Sequence, residues 1–268
     1  MNDESNWLKG VLKLVCTEKI ELYKKLVADI QACQKLSDCN NSKSSKSVKL
    51  EKCSFCNEVN LWSYWQGGIN NLDADILLVG QDWGNFRDSK YKELVSSIKS
   101  INKDSSKCFK YPFEKNPTDN NLCKLFAELG DTYIIKESNN PKVFFSNLVL
   151  CYRHGSGISG GFRQRWARNC SEYFLRLVSI IQPKVIICLG RSVFDAVVKS
   201  FGEKPPKCDY NSTISNGART LSLNGTSYTV FPMAHCGVFG TNNRKDPDTG
   251  CSGIKQQEED WRRIKYCL

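Results

Sequence analysis

The chain has 268 residues, of which 40% are hydrophobic and 25% charged, a composition typical of a folded globular protein and not of a disordered one. Its 38 Lys and Arg residues against 28 Asp and Glu give a formal net charge of +10, which suits a polyanionic partner without establishing one. The apolar runs are too short to span a bilayer, and the N-terminus lacks the pattern of a secretory signal. We therefore expect a soluble cytoplasmic protein that does not contact membranes.

The first part of the chain is predicted to be a helical extension. Apolar residues recur at helical spacing over 7–35, which indicates one or two helices. The Ser-, Asn- and Lys-rich stretch that follows, 36–49, is typical of a linker or loop. We therefore divide the chain into a helical extension with its linker, 1–49, and one α/β domain, 50–268.

Apolar strands alternate with amphipathic helices beyond residue 50. The predicted strands cover 74–80, 142–151 and 184–190, and a β-hairpin over 220–235 turns at Asn224-Gly225. The predicted helices cover 120–130, 162–182, 191–202 and 254–266. This alternation indicates a mainly parallel sheet with helices on both faces, a three-layer α/β/α sandwich. Such sheets bind ligands at the carboxyl ends of their strands, so the loops at those ends are the candidate site.

A glycine-rich segment at 155–160 matches the GxGxxG pattern of dinucleotide-binding loops. It begins beyond the end of its strand instead of in a tight strand-to-helix turn, and the next strand lacks an acidic residue for a ribose. A mobile loop is the simpler interpretation. A nucleotide-cofactor enzyme remains an alternative, which saturable dinucleotide binding would reveal.

Four segments at the predicted strand ends carry a resemblance: GQDWG (80–84), SNLVLC (146–151), QPKVIICLGR (182–191) and FPMAHCG (231–237). In this order and spacing, the sequence resembles the uracil-DNA glycosylase superfamily. GQDWG is similar to the strand-end loop that is GQDPYH in one branch and GEAPG in the iron–sulfur branch. SNLVLC is similar to the strand that brings an Asn to the base. FPMAHCG is similar to the segment that ends in a His-Pro-Ser type motif.

The resemblance implies a DNA glycosylase that flips a nucleotide out of the duplex and hydrolyses its N-glycosidic bond. Asp82 would stabilise an oxocarbenium-like sugar, His235 would donate a hydrogen bond to the base oxygen, and Asn147 would bind the pyrimidine edge. Ordinary structural roles for these three residues remain open. The other base-binding positions that the resemblance implies are Gly80, Gln81, Gly84, Phe86 and Phe113, with one of the two phenylalanines stacked on the base. The matched motifs offer no lysine for a Schiff base, so a monofunctional enzyme is expected.

The resemblance also implies contacts with DNA. Phe239 occupies the position where the family inserts an apolar wedge, although a role as a core anchor is equally open. Basic residues beside the same loops predict contacts with phosphates: Arg163, Arg191, Arg244 and Lys245. We expect a monomer that binds double-stranded DNA with a flipped base, with single-stranded DNA as an alternative.

The sequence differs from the family's motifs at positions that bear on the identity of the substrate. In the GQDPYH branch the fifth position is a Tyr that blocks substituents at pyrimidine C5, and Gly84 removes that bulk. Cys236 and Gly237 replace the usual Pro and Ser. Uracil and a C5-modified cytosine therefore both remain candidates, the latter including the glucosylated hydroxymethylcytosine of phage DNA that bacterial defence enzymes of this superfamily attack. A non-catalytic DNA-binding or protein-interaction protein of the same fold is a further alternative.

Fourteen cysteines are numerous for a chain without a secretion signal, in which reduced thiols or metal ligands are expected. The iron–sulfur branch carries a CxxC pair and two later cysteines. The corresponding residues here are Cys53, Cys56, Cys151 and Cys170. The resemblance implies a structural [4Fe–4S] cluster on these four thiolates, with zinc or no metal as alternatives.

Overall fold

The computed structural model describes residues 2–40, 49–51, 68–82, 117–134, 142–154 and 162–268, with the side chains of the first helix described from residue 17 onward. The helices are α1 (Asn2–Gln31), α2 (Leu36–Asn40), α3 (Pro117–Ala127), α4 (Gln164–Ile181), α5 (Arg191–Ser200), α6 (Tyr210–Ser215), α7 (Val238–Asn243) and α8 (Gly253–Arg262). The strands are β1 (Lys49–Glu51), β2 (Ile76–Gly80), β3 (Val143–Asn147), β4 (Tyr152–His154), β5 (Val185–Leu189), β6 (Arg219–Leu223) and β7 (Thr226–Met233). Short 3₁₀ helices cover Ile69–Asn71, Asp131–Tyr133 and Arg263–Cys267.

The central sheet has five strands within the described residues, in the order β3-β2-β5-β7-β6. The first four are parallel to one another, and β6 pairs antiparallel with β7. The β6–β7 turn is formed by Asn224 and Gly225, with φ values of 50° and 81°. Positive φ at both positions is characteristic of the type I′ turn that an Asn-Gly pair favours. β1 and β4 form a separate two-stranded antiparallel ribbon.

Alternate residues of β2 show how helices cover the two faces of the sheet. Leu77 and Val79 pack in one apolar cluster with α1, α4 and α5. Ile76 and Leu78 pack in a second cluster with α3 and α8. Every residue of β2 and β5 is buried, as expected for parallel strands covered on both sides. The predicted three-layer α/β/α sandwich is confirmed.

Helix α1 contributes to the first of these clusters. Tyr23, Leu26 and Ile30 are buried there, and Asp29 forms an ion pair with Arg176 of α4 at 2.7 Å. The helical prediction for 7–35 corresponds to α1, whereas α2 lies in the stretch 36–49 that was predicted to be a linker. The domain boundary at residue 49 stays a prediction, because residues 41–48 are outside the described part.

The predicted strand over 142–151 ends at Asn147, because the following residues bond to the loop after β2. The Leu148 N–H donates to the Gly80 carbonyl at 2.9 Å, and the Val149 N–H donates to the Gln81 carbonyl at 3.0 Å. Helices α6 and α7 were not predicted, since each has only six residues. Within the described residues, no helix is both long enough and apolar enough to cross a bilayer.

Candidate active site

Three loops lie at the carboxyl-terminal edge of the parallel strands. The loop after β2 carries Gln81 and Asp82, β3 ends at Asn147, and β7 ends two residues before His235. The strands β3 and β7 are three strand spacings apart, about 14 Å, with β2 and β5 between them. The fold therefore brings the three predicted catalytic residues to one edge of the sheet.

Asn147 packs directly against Gly80, its partner in the β2–β3 register. A Cβ atom at position 80 would lie 2.4 Å from Oδ1 of Asn147 and 3.1 Å from the Phe145 ring. Both distances are below van der Waals contact, so position 80 has no space for a side chain. Asn147 is only 5% exposed. Glycine at position 80 is therefore required for the observed position of the Asn147 amide.

The loop after β2 orients its carboxylate locally. The Gln81 amide Nε2 donates to Oδ2 of Asp82 at 2.8 Å, and both side chains are half-buried. The remaining predicted positions Gly84, Phe86, Phe113, Cys53 and Cys56, and the segment 155–160, lie outside the described residues. Their roles stay predictions.

His235 is fixed in one tautomer by its own loop. The Gly237 N–H donates to Nδ1 of His235 at 2.9 Å, so Nδ1 is an acceptor and the proton of the neutral imidazole is on Nε2. Burial of the ring lowers the pKa of His235, because the surrounding protein disfavours the charged form, although part of the residue contacts solvent. His235 therefore presents a neutral ring with a hydrogen-bond donor at Nε2.

Polar side chains from three helices fix the backbone of this loop. Nε2 of Gln257 donates to the His235 carbonyl at 3.1 Å, and its Oε1 accepts from the Thr241 hydroxyl at 3.1 Å. Nδ2 of Asn121 donates to the Cys236 carbonyl at 2.9 Å. Sequence reasoning missed these residues, which belong to no motif. The one signal in the sequence was the position of Gln257, a polar residue in line with the apolar stripe of α8.

Helix α7 begins immediately after this loop and contacts it closely. A Cβ atom at Gly240 would lie 2.1 Å from the His235 carbonyl oxygen, and one at Gly237 would lie 3.0 Å from Nδ1 of His235. A side chain at Gly240 would clash with the backbone, and one at Gly237 would be tightly crowded by the imidazole. Phe239, in the first turn of α7, is 76% exposed. Its predicted role as a DNA wedge stays a prediction.

A comparison with protein families identifies the fold. The family model of the Uracil DNA glycosylase superfamily matches residues 68–262, well over half of the chain. The chain belongs to the uracil-DNA glycosylase superfamily. This family is generally one of hydrolytic DNA glycosylases, so the resemblance seen in the four strand-end segments is confirmed at the level of the superfamily. No curated protein sequence matches the chain.

The prediction that Arg244 of this superfamily member contacts DNA phosphates is wrong. Its side chain has no exposed surface. Nε and Nη2 donate to the two carboxylate oxygens of Asp260, at 2.6 and 2.8 Å, and Nη1 donates to the Lys245 carbonyl at 2.6 Å. A buried bidentate pair of this kind fastens the end of α7 to α8. The sequence does not reveal it, because the carboxylate lies 16 residues further along the chain.

The other predicted DNA-contacting cations have different surroundings. Arg191 donates to Asp195 at 3.0 Å and to two backbone carbonyls of the loop after α5, and so anchors that loop. The Arg163 guanidinium lies 5.4 Å from the centre of the Trp166 ring. Lys245 is exposed. Contacts between these three side chains and DNA stay predictions.

Two of the four predicted cluster ligands, Cys151 and Cys170, are described and are neighbours. Burial raises the pKa of the Cys170 thiol to about 12, and the nearby thiols of Cys151, Cys39 and Cys33 contribute in the same direction. Within the described residues, no group of three or more His, Cys, Asp or Glu side chains is arranged to hold a metal ion. The predicted [4Fe–4S] or zinc site is therefore untested.

Proposed function

We propose that this protein is a monofunctional DNA glycosylase that excises a modified pyrimidine, uracil or a C5-modified cytosine, and leaves an abasic site. One observation carries the proposal: Asp82, Asn147 and His235 come from three loops at the same edge of the sheet, in a chain that belongs to the uracil-DNA glycosylase superfamily. The reaction adds water across the C1′–N bond. The hydroxyl goes to C1′, and the base leaves with the bonding electrons and takes up a proton.

His235 suits the departing base. Negative charge grows on the base oxygen as the bond breaks, and a neutral imidazole with its proton on Nε2 is a donor for that oxygen. The ring needs no rearrangement during the reaction, because the Gly237 N–H fixes the tautomer and Gln257 fixes the backbone. A donor preorganised in this way stabilises the transition state more than the ground state.

Asp82 is suited to stabilise the sugar, and Asn147 is suited to bind the pyrimidine edge. A carboxylate stabilises the developing oxocarbenium ion and orients the attacking water. The Asn147 amide offers both a donor and an acceptor, which matches the alternating polar groups of a pyrimidine. Gly80 leaves the space that this amide occupies.

The test is base release from oligonucleotides that carry uracil, a thymine mismatch, hydroxymethylcytosine or glucosylated hydroxymethylcytosine. We expect Asp82→Asn and His235→Ala to lower the single-turnover rate by about 100-fold or more with DNA binding retained. The control Asp29→Asn removes a partly exposed carboxylate of α1 and should keep the wild-type rate. Release from no substrate, or wild-type rates in both active-site variants, would instead support a protein that binds DNA without cleaving it.

A substitution at Gly84 distinguishes uracil from a C5-modified cytosine as the substrate. If the missing side chain admits a C5 substituent, Gly84→Tyr abolishes release of modified cytosine and retains release of uracil. Release of glucosylated hydroxymethylcytosine alone would support the anti-phage alternative. The monofunctional assignment predicts that the purified protein leaves the abasic strand intact until alkali or an endonuclease is added.

The cofactor proposal is a structural [4Fe–4S] cluster, or zinc, held by Cys53, Cys56, Cys151 and Cys170. Thiols are soft donors suited to either metal, and a cluster bound here would tie loops together without entering the reaction.

Metal analysis of anaerobically purified protein tests this proposal. Loss of iron and sulfide, or of zinc, in C53S/C56S and not in C33S/C39S supports the CxxC pair as ligands. C188S alters a fully buried thiol in β5 and is the matched control. Wild-type protein without any of these elements would contradict the proposal.

We also propose a cytoplasmic location. The ten cysteines whose side chains are described form no disulfide bond with one another, which is typical of a reducing compartment. The expectation of a monomer stays a prediction that sedimentation of the full chain would check.

A further inference from the structure

A groove of about 420 Å³ separates the first half of α4 from the second half of α5. Its walls are formed by Gln164, Arg165, Arg168, Ser171, Lys199 and Ser200. Three of these residues are cationic, and none of the described residues lining the groove is a carboxylate. The groove is therefore a concave, positively charged surface.

Two alanines explain why the helices leave this space. Ala167 of α4 and Ala196 of α5 form the floor of the groove, and both are buried. Larger side chains at these positions would fill the gap. Nζ of Lys199 donates to Oε1 of Gln164 at 3.4 Å, which joins the two walls at one end. The walls are thus fixed by packed helices and do not depend on loops.

The cations differ in how strongly the protein engages them. Nη1 of Arg165 donates to the Asp38 carbonyl at 3.3 Å, which ties that side chain to α2. Arg168 and Lys199 are both exposed, and the Lys199 ammonium has donors left after its bond to Gln164. These two side chains are the ones available to an anionic ligand.

We propose that the α4–α5 groove binds the phosphodiester backbone of duplex DNA outside the flipped nucleotide. The inference rests on the proposed function in taking duplex DNA as the bound partner. Arginine and lysine donors match phosphate oxygens, and backbone contacts of this kind position a duplex without reading its sequence. The net charge of +10 favours the same partner.

The test is equilibrium binding of the full chain to a long undamaged duplex, measured by fluorescence anisotropy over a range of salt concentrations. Arg168→Gln with Lys199→Gln removes two exposed charges. We expect the affinity to fall about tenfold and the slope of log K against log salt to become shallower by about 2. The control, Lys24→Gln with Lys25→Gln, removes the same charge from the exposed side of α1 and should change neither quantity.

Base release distinguishes a failure of this inference from a failure of the proposed function. With saturating uracil or modified-base duplex, the groove variant should retain the wild-type single-turnover rate. If the wild type releases no base but the groove variant still binds DNA more weakly than the control, the groove is supported and the proposed function fails.

Two outcomes would overturn the groove proposal. One is a groove variant whose DNA affinity and salt slope equal those of the control. The other is calorimetric binding of inorganic phosphate that the groove variant loses while its DNA affinity is unchanged, since the site would then take a small free phosphate.

Discussion

Gly80 and Asn147 share a space that admits one side chain. The Asn147 amide oxygen occupies the volume that a Cβ at position 80 would need, so the smallest residue on one strand makes room for the polar residue on the next. The backbone of Gly80 does not have the positive φ that only glycine adopts easily. The requirement is therefore one of space, and even alanine would displace the amide.

Gly80→Ala should lower the single-turnover rate of base release by about 100-fold, because a displacement of about 1 Å is enough to misalign a reacting group. Gly217→Ala is the control. Gly217 has a φ of 82° with open space around it, so alanine there costs stability through backbone strain and leaves the site unchanged. Equal rates in the two variants would show that Asn147 does not need its observed position.

His235 should titrate below the pH at which an unperturbed histidine does. Its folded pKa is lowered, so the folded state binds this proton less readily than the unfolded state. The contribution of neutral His235 to the stability of the folded state is therefore complete at neutral pH and is lost as pH falls through the folded pKa. Base release should fall over the same pH range.

The chain has only two histidines, so His154→Gln leaves a single imidazole for nitrogen NMR. We expect the spectrum at neutral pH to show Nε2 protonated and Nδ1 bare. A protonated Nδ1, or a midpoint above the ordinary value, would contradict the arrangement described for the Gly237 N–H.

At the scale of elements, helices α7 and α8 hold the His235 loop in place, although the loop is part of neither helix. Thr241 of α7 and Gln257 of α8 bond to each other, and Gln257 bonds to the His235 carbonyl. The buried pair of Arg244 and Asp260 joins the end of α7 to the same helix. The loop is thus backed by a polar interface between α7 and α8, and its geometry depends on residues outside the strand-end motifs.

Gln257→Leu should slow base release about tenfold and cost about 1–3 kcal/mol of stability, because carbonyl groups and a hydroxyl lose their partner. Gln256→Leu is the matched control: the neighbouring buried glutamine bonds to Asp260 and has no described bond to the His235 loop. Both variants should unfold at lower urea concentration, and only the first should lose activity. Similar activity losses in both would mean that general destabilisation explains the effect.

At the scale of the whole molecule, the sequence predicted the sheet and its two helical layers because continuous apolar runs and amphipathic stretches of period 3.6 are strong local signals. Asp82, Asn147 and His235 were identifiable because the strand-end segments that contain them resemble the motifs of the superfamily. The Arg244–Asp260 pair and the Gln257 network were not, since both depend on how distant helices pack. Nothing local distinguishes a buried arginine from one that contacts a phosphate.

The last prediction concerns how much the packing of helix α1 contributes to stability. Leu26 is fully buried in the cluster shared with α4 and the sheet, so Leu26→Ala should cost about 2–5 kcal/mol in urea unfolding. Leu22, on the same helix, is 46% exposed, and Leu22→Ala should cost well under about 1 kcal/mol. Equal small losses would mean that residues 1–49 do fold as an appendage separate from the core.

The contact between Gly240 and the His235 carbonyl has a mechanical consequence. With no side chain between them, we expect a shift of the first turn of α7 to displace the backbone of His235. Phe239 is the exposed ring on that turn, so a partner that moves Phe239 should also move the imidazole.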